Sequence, residues 1–201
     1  MKKITVLCFI GLVGAAAPFV TASAGVADLV KKCNSCHGED GNSKYEEVPN
    51  IGGMSAVYIH DTMVAYQNNE RPGKKFKPDD GEESDMNAVA EKLSEADINA
   101  LADHYAAKPF VPHPQQVDAE MAAKGQKTFK KLCEKCHSEG GTVADDDSGI
   151  LLGQWKKYLQ HEFELFDTQK REMVKKMRKR YEKLGKEDKA EILEYLAGGK
   201  K

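Results

Sequence analysis

Two copies of one pentapeptide, Cys33-Asn34-Ser35-Cys36-His37 and Cys133-Glu134-Lys135-Cys136-His137, lie 100 positions apart in a chain of 201 residues. Paired thiols followed at once by an imidazole suit a porphyrin. The thiols add across its two vinyl groups, and the adjacent His comes to lie under the iron as an axial ligand. The motif therefore predicts two c-type haems, tethered through Cys33 and Cys36 and through Cys133 and Cys136, with His37 and His137 on the irons. A bare Cys-x-x-Cys also serves zinc sites and redox dithiols. Zinc knuckles pair within about 15–20 residues, a far smaller gap than this one. A dithiol of the thioredoxin kind needs no following His and sits among strands, whereas the flanks here read as helices. Disulfides suit an exported protein, but the two motifs consume every cysteine except Cys8.

The other axial ligand decides between electron transfer and catalysis at iron. Methionine is a common partner in electron carriers, yet most methionines only fill core space. The duplication supplies a test, because a ligand should recur at the equivalent place. Met54 faces Gln154 and Met63 faces Phe163, so both read as structural. Met86 faces Met177, each seven residues before a leucine (Leu93, Leu184). Met86 and Met177 are therefore the expected ligands, with Met173 a weaker candidate for the second iron. Both irons would then be six-coordinate, which predicts an electron carrier and not an enzyme. His60, His104 and His161 lack repeat-equivalent histidines and read as surface or packing residues. His113 reads as a solvated linker residue.

The elements that must place these groups repeat as well. At an offset of 100, Gly25 falls on Gly125, Leu29 on Phe129, Gly53 on Gly153, Tyr58 on Tyr158, Tyr66 on Phe166 and Arg71 on Arg171. Beyond that the offset becomes 91, placing Leu93 on Leu184, Asp97 on Asp188 and Leu101 on Ile192. The extra residues of the first copy lie around Lys74 to Glu83. Each copy predicts a helix running into the haem motif, a loop, a middle helix (about 55–69 and 155–168), a second loop and a final helix. Ser94-Glu95-Ala96-Asp97 reads as a capping box opening that last helix. No alternating strand pattern occurs, so the expected fold class is all-α: two tandem helical domains, each around one covalent haem.

The expected segments are a signal peptide over 1–24, a first domain over 25–108, a Pro-rich linker over 109–116 and a second domain over 117–201. Met1-Lys2-Lys3 and the apolar run Ile4 to Ala17 form the first two regions of an export signal, and Ala22-Ser23-Ala24 a cleavage site. Periplasmic localisation follows, with no integral membrane anchor, since that run is short for a span. Hydrophobic content of 40% and charged content of 31% describe a soluble globular chain. Loss of Lys2 and Lys3 takes the formal net charge from −2 to about −4. Acidic residues (Asp79, Asp80, Glu82, Glu83, Asp85) precede Met86, while basic ones (Lys170, Arg171, Lys175, Lys176, Arg178, Lys179, Arg180, Lys183) surround Met177. Such asymmetry suits two different redox partners. Without interleaved aromatics, the basic run gives no reason to expect nucleic acid.

These features together resemble the class I dihaem cytochromes of the cytochrome c₄ group, over the whole mature chain. Cys33 to Ser43 looks like that group's first haem loop and Pro49-Asn50-Ile51-Gly52-Gly53 like its proximal loop. The resemblance implies that the Pro49 carbonyl accepts a hydrogen bond from His37. The second half departs, with Gly149 in the place of Pro49. Its stretches Cys133 to Gly141, Asp145-Asp146-Asp147, Ile150 to Trp155 with Tyr158-Leu159-Gln160, and Glu172 to Met177 are similar to the dihaem subunit of flavocytochrome c sulfide dehydrogenase. That narrower likeness implies an FAD-containing partner subunit that oxidises sulfide and passes electrons to this chain. A free shuttle of the cytochrome c₄ type is the alternative.

Overall fold

The computed structural model describes residues 23–199. The expected export signal falls almost wholly on residues 1–22, outside the described range. Helix α1 (Ser23–His37) runs into the first motif, and a short 3-10 turn follows at Glu39–Gly41. Then come α2 (Ala56–Gln67), α3 (Met86–Ala90) and α4 (Glu95–Ala106). The second half follows the same order with α5 (Ala119–Leu132), α6 (Ser138–Gly141), α7 (Lys156–Asp167), α8 (Lys175–Tyr181) and α9 (Lys186–Gly198). The fold is two tandem helical domains built on one plan. Among the described residues the sole strand-like feature is an isolated antiparallel bridge, Phe76 to Ser84, inside the extra loop of the first copy.

Local chemistry explains the helix boundaries. Ser55 opens α2 by accepting from Tyr58 N–H at 3.0 Å. Ser94 and Asp97 complete the expected reciprocal cap at the start of α4. Gly185 occupies the same place before α9, where only the Asp188 carboxylate arm remains, accepting from Gly185 N–H at 2.8 Å. Helix α9 stops where Gly199 turns left-handed.

The repeat is visible in the backbone itself. Gly53 N–H donates to the Tyr105 carbonyl and Gly153 N–H to the Leu196 carbonyl, at 2.9 and 2.7 Å. Leu93 N–H to Ala90 and Leu184 N–H to Tyr181, both 3.0 Å, carry the 91-residue offset through α3 and α8. Each half has its own core. Met54, Ile59, Met63, Tyr66, Ile98, Leu101 and Tyr105 build the first, which places Met54 and Met63 in packing roles as expected. Phe129, Leu152, Leu159, Ile192, Tyr195 and Leu196 build the second.

The halves are pressed together. Gln154, whose repeat-equivalent is Met54, is buried and reaches across to Asn50, accepting from its N–H at 2.9 Å and donating to its carbonyl at 2.8 Å. Trp155 Nε1 donates to the Ser43 carbonyl at 2.9 Å. Residues 109–118 carry no regular secondary structure and lie along this seam, with Asn42 and Asn50 holding the Pro109 and Val111 carbonyls at 2.9 and 2.7 Å. His113 corrects the expectation of a solvated residue. It stacks on Trp155 with ring centroids 3.9 Å apart and its Nε2 lies 2.9 Å from the Asn50 side-chain oxygen.

Candidate functional site

Helix α1 carries Cys33, Cys36 and His37 on its closing turns. The ring of His37 is buried, and its Nδ1 lies 2.9 Å from the Pro49 carbonyl. A carbonyl oxygen can only accept, so Nδ1 carries the proton and Nε2 keeps its lone pair for a metal. Burial pushes the His37 pKa down, with the Pro49 bond opposing it in part, so the ring is in the neutral form that ligation requires. Cys33 packs on the first core. Its thiol is pushed up by burial, against a lowering contribution from the Tyr105 hydroxyl.

Met86 is the first residue of α3. Asp85 caps that helix by accepting from Ala88 N–H at 2.9 Å. Asn87 ties the helix to the end of α2, donating to the Tyr66 and Arg71 carbonyls at 2.7 and 3.0 Å and accepting from Gly73 N–H at 2.6 Å. This anchoring role was not legible in residue order, because one asparagine beside a methionine has no distinctive spacing.

Cys36, His37, Val48, Pro49, Phe76 and Met86 wall one cleft with about 620 Å³ of empty space, part of it open to solvent. The donor set fits a covalent haem: a thiol and an oriented imidazole on one element, a thioether on another and apolar walls between. Tyr158, His161 and Glu162 of the second half also line this cleft. The place of His161 beside the cleft is compatible with the expectation of a surface or packing residue. The signal for this placement lay in the repeat, since His161 and Glu162 stand opposite Asp61 and Thr62.

The second motif is arranged differently. Helix α5 ends at Leu132, and the peptide continues in turns, with Cys136 and His137 N–H both donating to the Cys133 carbonyl at 3.0 and 3.1 Å. Cys133 packs on the second core, and burial pushes its thiol up to about 11, whereas Cys136 is exposed. Burial pushes the His137 pKa down, with Asp146 and the Gly149 carbonyl opposing. That carbonyl nevertheless falls outside hydrogen-bonding geometry, leaving His137 Nδ1 buried and unpartnered. The orphan is the nitrogen whose counterpart in His37 donates to Pro49, so the second imidazole lacks the orienting bond that the first one has. Gly149 cannot simply become a proline, since its φ of +75° is outside proline's range.

Met177 lies on the first turn of α8, half-buried, and Met173 lies just ahead of that helix, also half-buried. Phe163 and Leu184, but neither methionine, pack against the second core. The structure thus gathers Cys36, His37 and Met86 around one space, and leaves the thioether of the second half at the rim of its domain.

A family model described as Cytochrome c matches residues 23–105, and one described as cytochrome c oxidase, cbb3-type, subunit III matches residues 120–196. Cytochrome c-554(548) of Halomonas halodenitrificans is 33% identical over 87 residues, covering 43% of this chain and 95% of that protein. The chain belongs to the cytochrome c family.

The likeness of this cytochrome to cytochrome c4 of Azotobacter vinelandii runs its full length, at 29% identity over 97% of both chains. Reduced recombinant cytochrome c4 from Pseudomonas stutzeri shares its fold, with a TM-score of 0.70 at 24% identity, covering 88% of this chain and 97% of that one. It is a dihaem class I cytochrome of the cytochrome c4 type, with two covalently bound haem c groups. The narrower expectation, a dihaem subunit of flavocytochrome c sulfide dehydrogenase, finds no support in these comparisons. They favour the cytochrome c4 alternative.

Proposed function

We propose that this cytochrome is a periplasmic one-electron shuttle, with His37 and Met86 on the first iron and His137 and Met177 on the second. The observation that carries the reading is the convergence of Cys36, His37 and Met86 on one cleft whose histidine is already fixed in the ligating tautomer. The haem supplies a one-electron iron couple when bound. Cys33 and Cys36 hold it covalently, the Pro49 carbonyl orients His37, and Asp85 and Asn87 fix the helix bearing Met86. In the second half, Cys133, Cys136 and His137 take the same roles. Met177 is assigned to the second iron by its 91-residue match to Met86.

Thioether ligation on both irons leaves no open position, which supports electron transfer over substrate chemistry. The leader over 1–24 supports export, and among the described residues no helix is long and apolar enough to cross a membrane. Partners are other redox proteins, drawn by the opposite charges of the two ends. Asp79 is already paired with Lys44 at 2.7 Å, whereas Lys175, Lys176, Lys179, Arg180 and Lys183 stand exposed around the second site.

The test is isolation of the native holoprotein with its optical spectrum and size. Two low-spin haems per chain, no flavin band, a monomer-sized particle and rapid reduction by a quinol-oxidising complex are expected. Stoichiometric co-purification with an FAD protein would overturn the shuttle and restore the subunit reading. Carbon monoxide binding to the ferrous protein at neutral pH would overturn the closed coordination.

A further inference from the structure

Where the halves meet, one carboxylate serves two equivalent arginines. Arg71 and Arg171 are repeat partners, and each lies over its repeat-equivalent aromatic ring: Arg71 over Tyr66 at 5.0 Å and Arg171 over Phe166 at 4.6 Å. Both turn to Glu162. Arg71 Nη2 lies 3.0 Å from Glu162 Oε1, and Arg171 Nη1 pairs with Oε2. Arg71 also donates to the Tyr158 hydroxyl at 2.9 Å. Arg71 is only 4% exposed and Glu162 7%. Nothing in the first copy answers Glu162, because its equivalent is Thr62. The one anion in an otherwise duplicated arrangement belongs to the second half, yet it lines the cleft that holds His37 and Met86.

We propose that Glu162 is a positioning residue that sets the two redox centres apart. It holds the first-half centre at a lower potential than that centre would have beside an uncharged residue, while fixing the two halves in register. The inference rests on the haem assignment for Cys33, Cys36, His37 and Met86. A ferric centre carries one more positive charge than a ferrous one, so a fixed carboxylate beside it stabilises the oxidised form. Burial keeps that interaction from being screened away by solvent or salt. The two guanidinium groups act in the opposite sense. Arg171 is the more exposed of the pair, with 19% of its side chain accessible, so it can be neutralised with the buried Arg71–Glu162 pair left in place.

The experiment compares the full-length holoprotein with Glu162→Gln and Arg171→Gln in a redox titration, each centre being followed by its own paramagnetically shifted NMR signals. Glu162→Gln should raise the first-half potential, shifting the reduced-to-oxidised ratio about tenfold at fixed applied potential, which is ~59 mV for one electron. The second-half potential should move less. Arg171→Gln should shift the first-half potential the other way. Opposite signs from the two variants would not come from a junction that had merely loosened. Unmoved potentials, or shifts of the same sign in both variants, would overturn the role of Glu162. If Glu162→Gln fails to fold, Arg171→Gln alone decides, and a first-half potential that stays put or rises refutes the proposal. A wild-type spectrum without low-spin His/Met signals from the first centre would instead count against the ligand assignment.

Discussion

The two halves of this cytochrome share a plan but differ in which part of it is held tightly. In the first half the haem site is organised: the motif is helical, His37 is bonded to Pro49, and Met86 lines the same cleft. Its helix crossing is loose, for a methyl group added at Gly25 would meet nothing within 4 Å. In the second half the crossing is tight. A methyl group at the equivalent Gly125 would lie 2.0 Å from the Glu191 carbonyl oxygen, because α5 and α9 touch backbone to backbone there. Yet His137 has no partner at Nδ1, and its motif is not helical. Helix packing and ligand organisation are therefore separable properties of one fold, and duplication has let them drift apart.

The sharpest way to test that contrast is to remove the thioethers one at a time. Met86→Ala should convert the first centre from low to high spin, read in the optical and EPR spectra, with the second unchanged. Met177→Ala should do the same to the second centre. Conversion by Met173→Ala instead would move the second ligand to that residue and break the 91-residue correspondence.

Next in size is the helix crossing. Gly125→Ala forces α5 away from α9 and should cost about 2–3 kcal/mol by thermal or denaturant unfolding. Gly25→Ala, at the expected start of the mature chain, should be neutral. Equal effects at the two positions would contradict the difference in packing.

The junction between the halves should respond to acid. Burial pushes the Glu162 carboxyl up, but Arg71 and Arg171 together overcome that and hold it below the ordinary carboxylate value. A depressed folded-state pKa contributes stability that is complete above the unfolded value and is lost as pH falls through the folded one. Docking should therefore persist at mildly acidic pH and fail below the usual carboxylate range. Protease cleavage within 109–118, measured against pH, should rise only there.

The smallest predicted effect lies at the start of the final helices. Ser94→Ala removes a side-chain cap and should cost about 1 kcal/mol, whereas Gly185→Ser should gain a few tenths, since a serine there can cap Asp188 N–H as Ser94 caps Asp97. Paired melting curves of the two variants check both signs.

Much of the molecule could be read from residue order. The two motifs, the change of offset from 100 to 91 and the Ser94 cap are matters of local spacing, and they appear where expected; the bond between His37 and Pro49, implied by the family resemblance, is present too. The solvated reading of His113 did not survive, because that ring meets Asn50, 63 positions away, and Trp155 across the seam between the halves. The hints were present as broken matches: Gln154 opposite Met54, and Glu162 opposite Thr62. A polar residue that interrupts a repeat marks the place where symmetry has to be given up so that the copies can pack.

Sequence by itself determined the chemistry of this protein, since thiols and imidazole at fixed short spacing admit few partners, and repetition doubled the message. Tertiary structure alone decided how the copies differ. Burial, hydrogen-bond geometry and the sharing of one carboxylate by two arginines are properties of distances through space, and linear order does not encode those distances residue by residue.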